Sequence, residues 1–477
     1  MNETKIYERV LALFKKICEI PRPSRREERI ADFICAFAEK QGYTPYRDEL
    51  NNVFVTVPAT DGYEDVAPIL LQGHTDMVCE KNADSSHDFS RDGIKYEEKD
   101  GFLVAPETTL GADDGVAVAL MLFVIEGGVP AHGKIECLFT ASEEVGLDGA
   151  KGFDYSRITA RRMINLDGEN ERVITVGCAG GVRSSVLFAS RLTEPSGAFL
   201  KLSVRGLKGG HSGVDIGQGL ANAIGILTDV LCEIYTATPL SLVSIKGGDK
   251  DNAIPREAFA VIAVEDSDAA KAIAARFAEE VRGTMTAADA AFSLAAEDEE
   301  GEIRAMMDAG TTRAVLSFLA TVKCGVMSMS ASLPSLVEYS KNLAAVFSDE
   351  RGVRVSLSTR SAREWQLDKS VREIDILASL CHAMTHHASR YPGWEYAGES
   401  AIADEYTKVY KRLFDSEITR ETVHAGLECG IIKGAIPEMD AISAGPNMHG
   451  IHAVGESLDL ASLGRFAFAV ATLLSQK

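Results

Sequence analysis

The sequence predicts an α/β protein in two parts. One is a domain with a mostly parallel central sheet flanked by helices; the other is an α+β domain inserted into it. Three observations carry this. Over the first 180 residues apolar runs of strand length alternate with helix-length periodic segments, the signature of a parallel sheet. Around 183–200 the texture changes to a strand–helix–strand series, and it reverts near 389. At 477 residues the chain is also too long for one ordinary core. The expected division is 1–183 and 389–477 for the main domain and 184–388 for the insertion.

The elements follow in order. Ile6, Val10, Leu11, Leu13, Phe14 and Ile17 recur at helical spacing over 3–18. "PRPS" (21–24) interrupts them, and Ser24 is expected to cap a second helix that stops at Gly42. Extended segments are expected near 52–59 and 67–74, and 111–128 reads as a small-residue helix closed by two glycines. "KIECLFTASEE" (134–144) and "RRMINLDGE" (161–169) read as strands that deliver polar residues at their ends. Within the insertion, helices are expected over 219–237 and 268–288, and a final apolar helix closes the chain.

Composition narrows the partners. Lys and Arg number 49 against 70 Asp and Glu, a net charge of −21, which argues against nucleic acid or an anionic membrane as partner. No run of eighteen apolar residues suggests a membrane span, and the N-terminus mixes charges into its apolar positions as no signal peptide does. The nine cysteines are scattered without a CxxC pair and read as thiols of a reducing compartment, so a cytoplasmic location is expected.

In parallel sheets functional groups gather beyond the carboxyl ends of the strands. His74 and Asp76 in "LLQGHTDM" stand at such an end, two residues apart and so on one side of the chain, where Asp76 can orient the imidazole. Asp113 and Asp114 open the helix in "TLGADDGVAVAL", where capping alone accounts for one of them. Glu143 and Glu144 follow a strand and diverge, so one can meet a metal while the other reaches a water. Asp167 ends "INLD", and "GPNMHGIHAVGE" offers His449 and His452. Each of these alone also fits a turn, a cap or a solvated loop. Together they form a mixed nitrogen and oxygen set suited to Zn²⁺ or Mn²⁺. Two other motifs carry less. "HAMTH" (382–386) has zinc-helix spacing but alanine at 383 in place of the glutamate, and "VGCAGG" (176–181) lacks the GK[ST] of a phosphate loop.

With these residues in order, the chain resembles the metallopeptidase family that contains carboxypeptidase G, the aminoacylases and the cytosolic dipeptidases. The matching stretches are "IPRPSRREE", "LQGHTDMVCEKN", "TTLGADDGVAVA", "FTASEEVGLDGA", "NLDGE", "GCAGG", "GGHSGVDI", "GGDKDNAIPRE", "HAGLECG" and "GPNMHGIH", running from residue 20 to residue 452. The resemblance implies a catalytic domain with an inserted lid of dimerisation type, two divalent metal ions (zinc first, manganese or cobalt as substitutes), and hydrolysis of dipeptides of the Xaa-His and β-alanyl-histidine kind. It implies a peptide substrate and a homodimer as partners. The alternative within the same fold is an aminoacylase or carboxypeptidase acting on N-acyl amino acids.

Residue by residue, the resemblance matches Asp113 to the carboxylate bridging both ions. It matches His74 and Asp167 to ligands of one ion, and Glu144 and His452 to ligands of the other. Asp76 matches the acid behind His74, and Glu143 the general base. The Asp113–Asp114 bond is expected to be cis. His211, Asn252 and Arg360 match substrate-binding lid residues, and His424 a position in the site's neighbourhood. Where many relatives read His-Ser-Pro-Asp-Glu, this chain reads "HAVGE".

Overall fold

The computed structural model describes residues 2–331, 333, 336–396 and 398–477. The chain forms two compact units: the first comprises Met1–Cys178, Trp394–Thr422 and Leu427–Lys477, the second Ala179–Gly393 and Val423–Gly426.

The first unit is built on an eight-stranded sheet. Its strands are β1 (Tyr46–Arg47), β2 (Val53–Val57), β3 (Ile69–His74), β4 (Ile135–Thr140), β5 (Arg162–Asn165), β6 (Val173–Cys178), β7 (Thr419–Val423) and β8 (Asp440–Ser443). Their spatial order is β1–β2–β4–β3–β5–β8–β6–β7. The middle four, β4, β3, β5 and β8, run parallel, while β1 and β2 on one side and β6 on the other are antiparallel to their neighbours. Strand β3 is buried along its whole length, as expected of a central parallel strand with both faces covered.

Helices α1 (Glu3–Cys18), α2 (Glu28–Lys40) and α3 (Ala112–Ile125) come from the first segment. From the last come α4 (Ala401–Phe414), α5 (Glu428–Ala435) and α6 (Leu460–Leu474). Helix α1 is amphipathic and buries the periodic residues Ile6, Val10, Phe14 and Ile17. Helix α3 is apolar nearly all round and every one of its residues is buried. It lies so close to β3 that a Cβ on Gly73 would stand 2.3 Å from the Ala117 Cβ and 2.4 Å from an Asp114 oxygen, which only glycine permits.

Helix α2 departs from expectation: Ser24 does not cap it. Arg25 turns into the left-handed region (φ 67°), the helix begins only at Glu28, and the Ser24 hydroxyl donates instead to Asp76.

The second unit carries a nine-stranded antiparallel sheet. Its path runs Ser293–Asp298, Ala198–Arg205, Ala258–Val264, Leu240–Gly247, Val337–Asp349, Gly352–Ser361, Gly180–Ala189 and Met384–Tyr391, and Gly325–Met329 pairs with Val337–Asp349. Helices Ala223–Ala237, Ser267–Arg282, Ala309–Thr321 and Glu364–Leu380 bury Ile224, Leu227, Leu231, Val315, Phe318 and Ile374 in its core. The first of these helices starts four residues later than its sequence pattern suggested, because Asn222 caps it by accepting from the Ile224 and Gly225 amides. His382 and His386 do not share a helix: His382 occupies a turn with φ 55°, and His386 lies on the strand Met384–Tyr391.

Candidate functional site

Strands β4, β3 and β5 are neighbours, run parallel and end at Thr140, His74 and Asn165, so the residues that follow them collect at one edge of the first unit's sheet. His74 is almost wholly buried at 1% exposure. Its Nε2 lies 2.8 Å from Asp113 Oδ1 and 3.5 Å from Asp167 Oδ1. His452 reaches the same carboxylate from the other side: its Nε2 is 3.1 Å from Asp113 Oδ2 and 2.9 Å from Glu144 Oε1. Each oxygen of Asp113 thus faces a different histidine, the disposition a bridging carboxylate needs. Donor atoms of His74, Asp113 and Glu144, and of His74, Asp114 and Asp167, fall within 4.8 Å of one another. Asp114 has its oxygens engaged elsewhere, one accepting from the Ala117 amide and the other from the His74 amide, so it works as a helix cap tied to β3. The Asp113–Asp114 peptide is cis.

The electrostatics ask for cations. Burial, reinforced by Asp113 and Glu144, pushes the Asp167 carboxyl up to about 8. Burial also raises Glu143 well above the carboxylate range, helped by the charges of Asp167, Glu428 and Glu144. Hydrogen bonds to Asp113 and Glu144 push His452 up to about 11, and at His74 the carboxylates of Asp167, Asp113 and Asp76 outweigh the effect of burial and raise it too. Four carboxylates and two imidazoles crowded in this way hold one another's protons; divalent ions would displace those protons and satisfy the same atoms. The donor set therefore fits hard or borderline divalent metals.

Behind the cluster stands Asp76, fully buried. One oxygen accepts from the Glu143 amide at 3.0 Å and lies 3.4 Å from His74 Nδ1; the other accepts from the Ser24 hydroxyl and the Glu144 amide. Burial opposes its ionisation, but bonds from His74, Ser24 and the Glu143 amide hold it below the usual range.

The supporting residues were not legible as such in the sequence. Glu27 accepts from the amide and hydroxyl of Ser142, which sits at φ 54° just before Glu143. Buried Arg22 donates to the carbonyls of Thr75, Asp76 and Gly111. Buried Glu456 accepts from the amides of Leu110, Gly111 and Ala112. Arg22 and Glu456 thus grip opposite ends of the Gly111 peptide and fix the turn that presents Asp113. Glu456 closes "HAVGE", so that loop retains a structural carboxylate. His449, the other histidine of its motif, is exposed and packs edge-on against Phe102, outside the cluster.

His211, Asn252, Arg360 and His424 all belong to the second unit. The amides of Gly213 and Val214 donate to His211 Nδ1, which leaves the ring proton on Nε2. A Cβ on Gly213 would stand 2.4 Å from the His424 carbonyl oxygen, 3.1 Å from His211 Cε1 and 3.2 Å from Arg360 Nε, so the three residues converge on this glycine. His424 Nε2 meets the Ser340 hydroxyl at 2.7 Å, and Arg360 donates to the Tyr391 hydroxyl while its buried Nε has no hydrogen-bond partner among the described residues. Asn252 joins through its backbone, its carbonyl accepting from the Ser212 amide. Burial and the Arg360 charge lower both imidazoles, His424 down to about 3.

Comparison with known proteins places these motifs. Residues 202–285 match the model of a peptidase dimerisation domain. The cytosol non-specific dipeptidase of Escherichia coli (strain K12) is 36% identical over 468 residues, covering 97% of this chain and 96% of that protein. The crystal structure of aminoacylhistidine dipeptidase from Vibrio alginolyticus, 32% identical, matches with a TM-score of 0.89 over 98% of this chain and 96% of that one. The aminopeptidase PepT from Bacillus cereus, at 17% identity and a TM-score of 0.56 over 98% of each chain, shares the fold.

Proposed function

The chain belongs to the cytosol non-specific dipeptidase family, and from that premise we propose that it hydrolyses unblocked dipeptides, including Xaa-His and β-alanyl-histidine, at a two-metal centre in the cytoplasm. The observation that carries this reading is Asp76. A single buried carboxylate ties His74 to the amides of both Glu143 and Glu144, so the candidate base and the candidate ligands are fixed as one assembly.

In this reading His74, Asp113 and Asp167 would hold one ion and Asp113, Glu144 and His452 the other, with Zn²⁺ as the resident metal and Mn²⁺ or Co²⁺ as substitutes. When bound, the pair supplies Lewis acidity toward the scissile carbonyl and lowers the pKa of water. Glu143 takes the proton of the attacking water as its oxygen bonds to the carbonyl carbon. It then delivers that proton to the leaving amine as the C–N bond breaks. His211, with its proton on Nε2, donates to the carbonyl oxygen as charge develops there. Arg360 and Asn252 read the substrate's carboxylate, Arg360 through charge-assisted bonds, with His424 in the neighbourhood of the site. The second unit also provides the surface for a homodimer, in keeping with its match to a dimerisation domain.

The test is hydrolysis of Ala-Ala, Gly-His, β-alanyl-histidine, N-acetyl-Ala and Ala-Ala-Ala by metal-stripped protein with Zn²⁺, Mn²⁺ or Co²⁺ restored singly. Metal-dependent cleavage of the free dipeptides alone is expected; cleavage of N-acetyl-Ala alone would overturn the reading. Glu143→Ala should lower kcat about 10²–10⁴-fold with the metal content, read by elemental analysis, unchanged.

A further inference from the structure

Beneath the candidate ligands lies a buried polar group that the mechanism above does not use. Glu428 opens helix α5 and is 1% exposed. Its Oε2 accepts from the Gln72 side-chain amide and, at 2.6 Å, from the Thr140 hydroxyl. Gln72 Nε2 also reaches Thr140 Oγ1 at 3.1 Å, and Gln72 Oε1 accepts from Asn165 Nδ2 at 2.8 Å. All four side chains are buried.

Their positions in the sheet give the network its meaning. Gln72 precedes His74 by two residues on β3. Thr140 closes β4, three residues before Glu143. Asn165 closes β5, two residues before Asp167. In the register Gln72 stands opposite Asn165, and His74 opposite Thr140. One helix-borne carboxyl therefore anchors a polar rung across the ends of three adjacent strands, each of which leads into the site.

Apolar side chains would fill the same space, and a buried polar group is costly unless it is bonded. The second oxygen, Oε1, is buried and has no hydrogen-bond partner among the described residues. An ionised carboxylate left in that state beside Asp76 and Glu143 is disfavoured more strongly than a neutral acid with its proton on Oε1 and Oε2 accepting twice. Burial accordingly lifts this carboxyl up to about 7.

We propose that Glu428 is a positioning residue for the hydrolytic centre: as an acceptor for Gln72 and Thr140 it holds the ends of the three parallel strands that carry His74, Glu143–Glu144 and Asp167 in register with one another. The inference rests on the assignment of those residues proposed above. A displacement of about 1 Å at a catalytic group can cost a hundredfold in rate, so the effect is expected in kcat and in metal affinity rather than in KM.

The experiment compares wild-type holoenzyme with Glu428→Gln and Glu428→Leu. Readouts are kcat and KM for Ala-Ala at saturating Zn²⁺, Zn²⁺ affinity by chelator competition, and unfolding midpoint. Glutamine keeps the acceptor oxygen, so E428Q should stay within about threefold of wild type in every readout. E428L should lose about 10–100-fold in kcat with KM within about threefold, and should bind Zn²⁺ at least tenfold more weakly. E428L with wild-type kcat and affinity would overturn the proposal. So would an E428Q as impaired as E428L, because the need would then be for charge. If E428L does not fold, Thr140→Val, which removes one donor and keeps the shape, should show the same loss in kcat at smaller size; unchanged kcat and affinity there would overturn it equally. The affinity readout needs no substrate, so a failure of the dipeptidase reading is distinguishable from a failure of this one.

Discussion

The candidate clusters of the two units handle histidine in opposite ways. In the first, His74 and His452 are surrounded by carboxylates and held toward the cation. In the second, half-buried His211 and buried His424 lie near Arg360 and are held toward the neutral form. The same side chain therefore reports the charge each cluster is made to receive: a negative well suited to cations in one unit, and in the other a positive pocket with a guanidinium nitrogen unpartnered among the described residues. Ligand sign is legible from the direction in which an environment moves a histidine, even without a ligand bound.

Three substitutions test that contrast. The largest effect is expected from Asp113→Asn, which removes the negative charge that His74 and His452 both face. Metal should no longer survive dialysis, and dipeptide turnover should fall to background, as read by elemental analysis and by rate. Retention of both metals would break the cation-well half of the comparison. Next is Arg360→Met, which should raise KM for dipeptides about 10–100-fold through loss of charge-assisted bonds while leaving metal content untouched. A loss of metal instead would mean the two clusters do not divide the work as described.

The smallest effect concerns acid stability. With its folded pKa near 3 against an ordinary value of about 6.5, His424 takes up its proton in the unfolded chain first. Its contribution to stability is therefore flat above pH 6.5 and falls as pH drops from 6.5 toward 3. His424→Gln should remove up to about 1.4 kcal/mol per pH unit of that slope, seen as a shallower change in urea midpoint between pH 6.5 and 4.5. An unchanged slope would show that His424 is not held neutral.

Much of this organisation was legible because it is local. His74, Glu143, Glu144 and Asp167 each follow an apolar run, and the end of a run is visible in a sequence. The alternation of strands and helices over the first segment is visible for the same reason. What stayed hidden depends on pairings between distant residues. Ser24 looked like a helix cap, the commonest use of serine before a helical pattern; its partnership with Asp76, 52 positions away, has no local signature. Arg22 and Glu456 act on backbone atoms of a turn contributed by other segments. Glu428 stood inside a recognised motif, yet its role lies in a contact with Gln72 across 356 positions. The antiparallel margins of the central sheet escaped notice because strand direction is set by connections, not by the residues in a strand.

The position of β8 has a consequence for the way the molecule is made. That strand sits between β5 and β6, yet it is synthesised long after both, once residues 179–393 have left the ribosome. At about 5–20 residues per second the open edge of β5 waits some tens of seconds for its neighbour, while the second unit is complete but for Val423–Gly426 and able to collapse on its own. His452 arrives later still, so the half of the proposed metal centre that it shares with Asp113 and Glu144 cannot close before the last part of the chain has emerged. An unpaired parallel edge is adhesive, and its exposure ends only with the insertion of β8. Truncations that remove β8, or slow codons placed before residue 440, should therefore show first as aggregation during expression rather than as a lower melting temperature of the finished protein.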